Sequence, residues 1–133
     1  WELRQMGFVA DPERQAEIFA AADALVFPSL SDNLPNTVME AMACGVAIVA
    51  FDVGGVPGLV RSGESGWLAP SEDAEALARG LEWLFADDER LRRVQQAAAA
   101  EMQKSYGLLV QAERYLTLYR ELLERQPEAP SGS

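Results

Sequence analysis

Two short, unbroken apolar runs, residues 24–27 (Ala-Leu-Val-Phe) and 46–51 (Val-Ala-Ile-Val-Ala-Phe), constrain the fold of this chain more than any other feature. A strand with one wet face alternates apolar and polar residues, whereas a parallel strand covered on both faces reads as a continuous apolar run. Between the runs lie a polar loop and residues 35–44, which read as a helix stopped by Gly45. Strand, helix, strand is the repeating unit of an open parallel sheet flanked by helices.

The rhythm extends in both directions. Residues 3–9 form a short apolar segment that reads as a strand ending near Gly7. Asp11-Pro12 reads as a helix start, with Asp as N-cap and Pro at the first helical position, and Ile18, Phe19 and Ala22 give that helix one apolar face. After the second run, Gly54-Gly55 and Pro57-Gly58 mark a tight loop, and residues 63–66 a turn before a short strand at Trp67-Leu68. The second half is helical. Ser71 is expected to cap a helix whose stripe is Ala74, Leu77, Ala78, Leu81, Leu84 and Phe85. Asp87-Asp88 opens another, with Leu91, Val94, Ala98 and Met102 inward and alanines 97–100 as a close-packing face. A final helix after Tyr106-Gly107 carries Leu108, Ala112, Tyr115, Leu116, Tyr119, Leu122 and Leu123, widened by Val110 and Leu118. The Pro/Ser/Gly-rich residues 127–133 are expected to be a disordered tail, leaving residues 1–126 as one domain.

Composition narrows the function classes. At 133 residues with about half of them apolar, the chain can build a core. A net charge of −10 with scattered cations argues against nucleic acid or an anionic membrane as partner. The single cysteine, Cys44, fits a reducing cytosol and reads as a small buried apolar residue rather than a nucleophile. No apolar run approaches the ~20 residues of a spanning helix, and no signal-like start is visible, so the expected location is cytoplasmic. With no histidine in the chain, any catalysis rests on carboxylates, Lys, Arg, hydroxyls and backbone groups.

The loop between the two runs concentrates such groups. Asp32 and Glu40 stand eight positions apart, with Asn33, Asn36 and Thr37 between them. Taken singly, each has a plain structural explanation: Asp32 as a loop residue capping the next helix, Glu40 as a complement to the helix dipole. Ser29 reads as a turn residue that can also touch phosphate. Trp67 and Trp83 read as core aromatics rather than sugar-stacking platforms, and Arg92-Arg93 as a solvated face.

Taken together, Pro28-Ser29, Asp32, Glu40-Ala-Met-Ala-Cys-Gly45, the run at 46–50, Asp52, Gly54-Gly55 and Gly66 resemble the donor-binding domain of family 4 retaining glycosyltransferases, over residues 3 to about 120. The resemblance implies the GT-B architecture of paired Rossmann-like domains, and for this chain an α/β fold with a partial Rossmann-like parallel sheet, flanking helices and a helical C-terminal part. It implies a nucleotide diphosphate sugar as donor, hexosyl transfer with retention and no metal cofactor. The family's E-x7-E pair reads here as Asp32-x7-Glu40. By resemblance Glu40 holds the ribose hydroxyls, Asp32 is the catalytic-site carboxylate contacting the transferred sugar, and Asn33, Leu34, Pro35, Asn36, Thr37 and Ser29 line the donor through backbone and side-chain groups. The helix beginning near Pro35 would aim its positive end at the diphosphate, worth ~0.3–1 kcal/mol per charge contact.

The chain departs from that pattern at Asp32, one methylene shorter than the usual Glu, and at Gly58, where the family commonly carries Glu after Gly-Gly. The resemblance also implies an N-terminal acceptor domain and two further βα units bearing phosphate-neutralising cations, which no segment of this chain matches. The chain is thus expected to be the back portion of a donor domain, inactive alone, and peripheral to a membrane at most in a full-length protein. In Rossmann order, 3-2-1-4-5-6, residues 3–9 and 24–27 would be third and fourth strands lacking the two between them. The isolated chain is then expected either to self-associate through the bare edge or to pair strands in a non-native order, with the wide stripe of the final helix exposed or engaged with another copy. Two other readings stand beside this one. One is a nucleotide-sugar binding or interaction module without turnover. The other is a different GT-B-like enzyme, an epimerase or phosphorylase, which the lack of histidine disfavours.

Overall fold

The computed structural model describes residues 2–125. In chain order the elements are α1 (Pro12–Ala20), β1 (Ala24–Phe27), α2 (Asn36–Ala43), β2 (Ala47–Phe51), α3 (Val56–Leu59), β3 (Gly66–Ala69), α4 (Ala74–Phe85), α5 (Asp88–Tyr106) and α6 (Leu108–Glu124). The three strands form one parallel sheet in the order β1-β2-β3, with Phe27 level with Ala50 and Phe51 level with Ala69. This is the α/β class that the two apolar runs predict, with helices on both faces and a helical C-terminal part. The tail expected at 127–133 lies outside the described residues.

β2 organises the core. All five of its residues are buried, and alternate side chains serve opposite faces. Ile48 and Ala50 join a cluster with Val38, Ala41 and Met42 of α2, Val56 and Leu59 of α3, and Ala98 and Met102 of α5. Ala47, Val49 and Phe51 face the other way, onto Ala69, Leu77 and Leu84 of α3's successors β3 and α4, and Val94 of α5. Helix α5 therefore contributes to both layers.

Several elements differ from the sequence reading. Residues 3–9 are not a strand. Among the described residues they have no ladder partner and β1 pairs on one side only, with β2, and Leu3 and Phe8 are almost fully exposed. A strand exists through its neighbour, and apolar composition cannot supply one. Pro57-Gly58, expected in a tight loop, is part of α3, where Pro sits in the first turn and has no N–H to lose. The cap of α4 is Asp73, not Ser71: Asp73 Oδ1 accepts from the Ala76 N–H at 2.8 Å. That start shifts the buried stripe to Ala76, Leu77, Gly80 and Leu84, leaving Ala74, Ala78 and Phe85 exposed. Gly80 is buried because the Trp67 ring lies on it, with Trp67 Cδ1 2.3 Å from where a Cβ would stand. Trp67 also donates from Nε1 to the Ala76 carbonyl and packs 5.5 Å from Trp83, so both indoles serve the core. Cys44 is exposed rather than buried, because it forms the C-cap of α2 beyond the face that Val38, Ala41 and Met42 turn inward.

Other expectations match. Asp11 caps α1 with Pro12 at its start, and Gly45 ends α2 at φ +76°. Asp87 caps α5, whose Val94, Ala98 and Met102 are buried. None of α6 is buried, and apart from the half-buried Val110 its apolar stripe is exposed. Among the described residues no helix is long and apolar enough to cross a membrane.

Candidate functional site

Because β1 and β2 are parallel and in register, the loops leaving Phe27 and Phe51 emerge from the same edge of the sheet. The carboxyl ends of parallel strands are where open α/β sheets bind ligands. Here the two loops meet: the Gly55 N–H donates to the Asp32 carbonyl at 2.9 Å. The Pro28–Pro35 turn therefore leans on residues 54–55 rather than standing free.

Within that turn the side chains fold back on the backbone. Ser29 Oγ donates to the Ser31 carbonyl at 3.1 Å, and Asp32 Oδ1 accepts from the Leu34 N–H at 3.1 Å. Asp32 thus stabilises its own turn; it does not cap α2, whose N-cap is Pro35 with no side-chain hydrogen bond. A carboxylate offers about four acceptor positions, so one such bond leaves Asp32 able to accept from a ligand. Asp32 is half-buried, while Asn33, Leu34, Asn36 and Thr37 are exposed and Pro35 is buried beneath them.

The start of α2 is open to an anion. No acidic side chain occupies its first turn, and no intrahelical carbonyl reaches the Asn36 and Thr37 N–H groups. Glu40 follows one turn later and is exposed. It stands where three hollows meet. With Asn36, Met39 and Tyr106 it lines a cavity of about 360 Å³ between α2 and the α5–α6 junction. With Thr37, Phe8, Val9 and Phe19 it lines one of about 270 Å³ beneath the N-terminal segment. With Pro12, Ala16 and Cys44 it borders one of about 250 Å³ between α1 and α2. Each is mostly apolar with Glu40 in its lining, which suits a flat or aliphatic group bearing hydroxyls.

The structure thus divides the expected site residues into two groups. Ser29, Asp32, Asn33 and Leu34 form the turn braced by Gly54-Gly55, and Asn36, Thr37 and Glu40 line the exposed side of α2 above the cavities. Among the described residues neither Asp32 nor Glu40 is in an ion pair. In the sequence Gly54-Gly55 marks a loop and forms part of the family resemblance, but no support of the Asp32 turn is read from it; a paired glycine directly after a buried strand is the available signal of a close backbone approach. Nothing in the sequence pointed to Met39, Tyr106 and Phe8 as cavity walls, since these contacts join distant segments.

Comparisons with known proteins bear on the family of the chain. The family model described as glycosyl transferases group 1 matches residues 3–101. The D-inositol 3-phosphate glycosyltransferase of Streptomyces griseus is 43% identical over 95 residues, 71% of this chain and 20% of the relative. The sucrose-phosphate synthase structure from Thermosynechococcus elongatus superposes with a TM-score of 0.77 at 32% identity, covering 86% of this chain and 29% of that one. The Anabaena Alr3699/HepE structure in complex with UDP-glucose gives 0.73 at 26% identity, covering 86% and 31%. The chain spans roughly a fifth to a third of the length of these proteins. With the parallel sheet, the loop at its carboxyl edge and a family match over most of its length, the chain belongs to the glycosyl transferases group 1 family.

Proposed function

We propose that this chain is the donor-binding, C-terminal part of a family 4 retaining glycosyltransferase that transfers a hexosyl unit from a uridine diphosphate sugar. The observation that carries the reading is the open N-terminal turn of α2, set between the Asp32 turn and Glu40 at the carboxyl edge of the sheet. The UDP-glucose bound to the Anabaena relative supports the choice of nucleotide.

In this reading Glu40 accepts from the two ribose hydroxyls, because two vicinal O–H donors match the two oxygens of a carboxylate. The diphosphate lies over the Asn36 and Thr37 N–H groups at the positive end of α2. Asp32 accepts from hydroxyls of the sugar to be transferred, its carboxylate aimed by the Leu34 N–H, and Asn33, Leu34 and Pro35 form the wall beside it. As the glycosidic bond breaks, negative charge grows on the leaving diphosphate, so donors fixed there stabilise the transition state more than the ground state. No metal is needed for these contacts. The acceptor site and the diphosphate's cationic partners belong to the rest of a longer protein, and this chain alone binds donor without transferring it. Its free β1 edge and uncovered α6 face are the surfaces through which the isolated chain self-associates; a monodisperse monomer by sizing with light scattering would contradict that.

Calorimetric titration with UDP, GDP and UDP-glucose tests the reading. UDP and UDP-glucose are expected to bind, and Glu40→Ala to weaken both by about 10–100-fold, the worth of one to two hydrogen bonds to a charged group. Undiminished binding by Glu40→Ala would remove the ribose assignment.

A further inference from the structure

We infer that Gly54 and Gly55 are positioning residues for the Asp32 turn, a role that rests on the donor-binding reading above: their bare backbones set where the Asp32 carboxylate points. A Cβ built on Gly54 would lie 1.9 Å from the Asp32 carbonyl oxygen and 2.8 Å from its carbon. One built on Gly55 would lie 1.8 Å from the Asn33 carbonyl oxygen and 2.8 Å from its carbon. These neighbours are backbone atoms, with no side-chain rotamer through which to move aside. Gly58 and Gly63 nearby do not share it, having nothing within 4 Å of their Cβ positions.

Peptide planarity carries the contact to the carboxylate. The Asn33 carbonyl and the Leu34 N–H share one rigid plane, so displacing the oxygen turns the N–H with it. That N–H is the donor that holds Asp32 Oδ1 at 3.1 Å. In the same way, displacing the Asp32 carbonyl breaks its 2.9 Å bond from the Gly55 N–H and turns the Asn33 N–H. Glu40 has no such link; α2 holds it independently. The two carboxylates are therefore positioned by different parts of the fold, and only Asp32 depends on the glycine pair. Gly55 gives the cleaner probe. Its φ of −88° is open to any residue, so Ala there adds the collision alone, whereas Gly54 at +52° would add backbone strain.

The test compares Gly55→Ala, Asp32→Ala, their double variant and the control Gly58→Ala. Each is titrated with UDP and with UDP-glucose, and its amide resonances are recorded without ligand. Gly55→Ala should lower UDP-glucose affinity about 10–100-fold, the scale of an ångström-sized misplacement. UDP affinity, which rests on Glu40, should stay near wild type. Asp32→Ala should cost less in the Gly55→Ala background than alone, because both act through one group. Gly58→Ala should change nothing. Equal losses for both ligands, or additive single effects, would overturn the inference. So would Asn33 and Leu34 amide resonances that do not move in Gly55→Ala. If the wild-type chain bound neither ligand, the donor reading would fall, yet displaced Asn33 and Leu34 resonances in Gly55→Ala alone would still uphold the positioning.

Discussion

β2 and α6 are both rich in apolar residues, and the fold treats them in opposite ways. Every residue of β2 is buried; no residue of α6 is. β2 lies between two clusters drawn from α2, α3 and α5 on one face and β3, α4 and α5 on the other. Among the described residues α6 meets chiefly α5, and Leu108, Leu109 and Leu123 are each more than two-thirds exposed. An apolar stripe thus states that a face can be covered, while the covering itself depends on which partners the chain supplies.

Substitutions sharpen that contrast, and the largest effect belongs to β2. Ile48→Ala should cost about 2–5 kcal/mol, since Ile48 is fully buried in the cluster formed with α2, α3 and α5. Urea unfolding measures it; a loss under 1 kcal/mol, roughly a surface value, would mean that the core is not packed as described. Between the extremes lies Asp73→Ala, which removes the acceptor from the Ala76 N–H and should cost about 1 kcal/mol by the same method. On α6, Leu116→Ala should move stability by less than about 0.5 kcal/mol at dilutions where the chain is monomeric, because within one copy Leu116 covers little. A core-sized loss there would show that α6 is packed against something in solution.

The smallest effect is in acid. The Arg90 and Glu89 backbone N–H groups that donate to Asp87, with Arg90 and Arg93 adding positive charge, hold its carboxyl below its ordinary value near 3.8. A carboxyl lowered in the folded state adds stability above its unfolded value and loses it as pH falls through the folded one. Asp87→Asn keeps an acceptor at the cap but cannot titrate, so its stability should fall less steeply than wild type below pH 3.8. Parallel acid-unfolding curves would contradict the assignment.

The same contrast explains what could be read from the residues alone. The two continuous runs and Gly45 were legible because burial on both faces and a helix stop leave local signatures. Residues 3–9 were misread because their apolar pattern matches a strand, yet pairing needs a neighbour that the pattern cannot reveal. Ser71 lost the cap of α4 to Asp73, two residues on, since both are good caps and residue type alone does not choose between them. At the candidate site, Asp32, Asn36 and Glu40 were visible as residue types. The support beneath them was not, because the Gly55-to-Asp32 bond and the Tyr106 wall join segments far apart in the chain.

Donor binding across the Asp32 turn and α2 is the central claim, and amide chemical-shift mapping with UDP-glucose on the isotope-labelled chain tests it most directly. The account predicts that the resonances of Asp32, Asn33, Leu34, Asn36, Thr37 and Glu40 move on titration, together with Gly54 and Gly55, while those of α6 stay in place. Shifts confined to α6 or to the α4 face, with the Asp32 turn and the start of α2 unmoved, would contradict it.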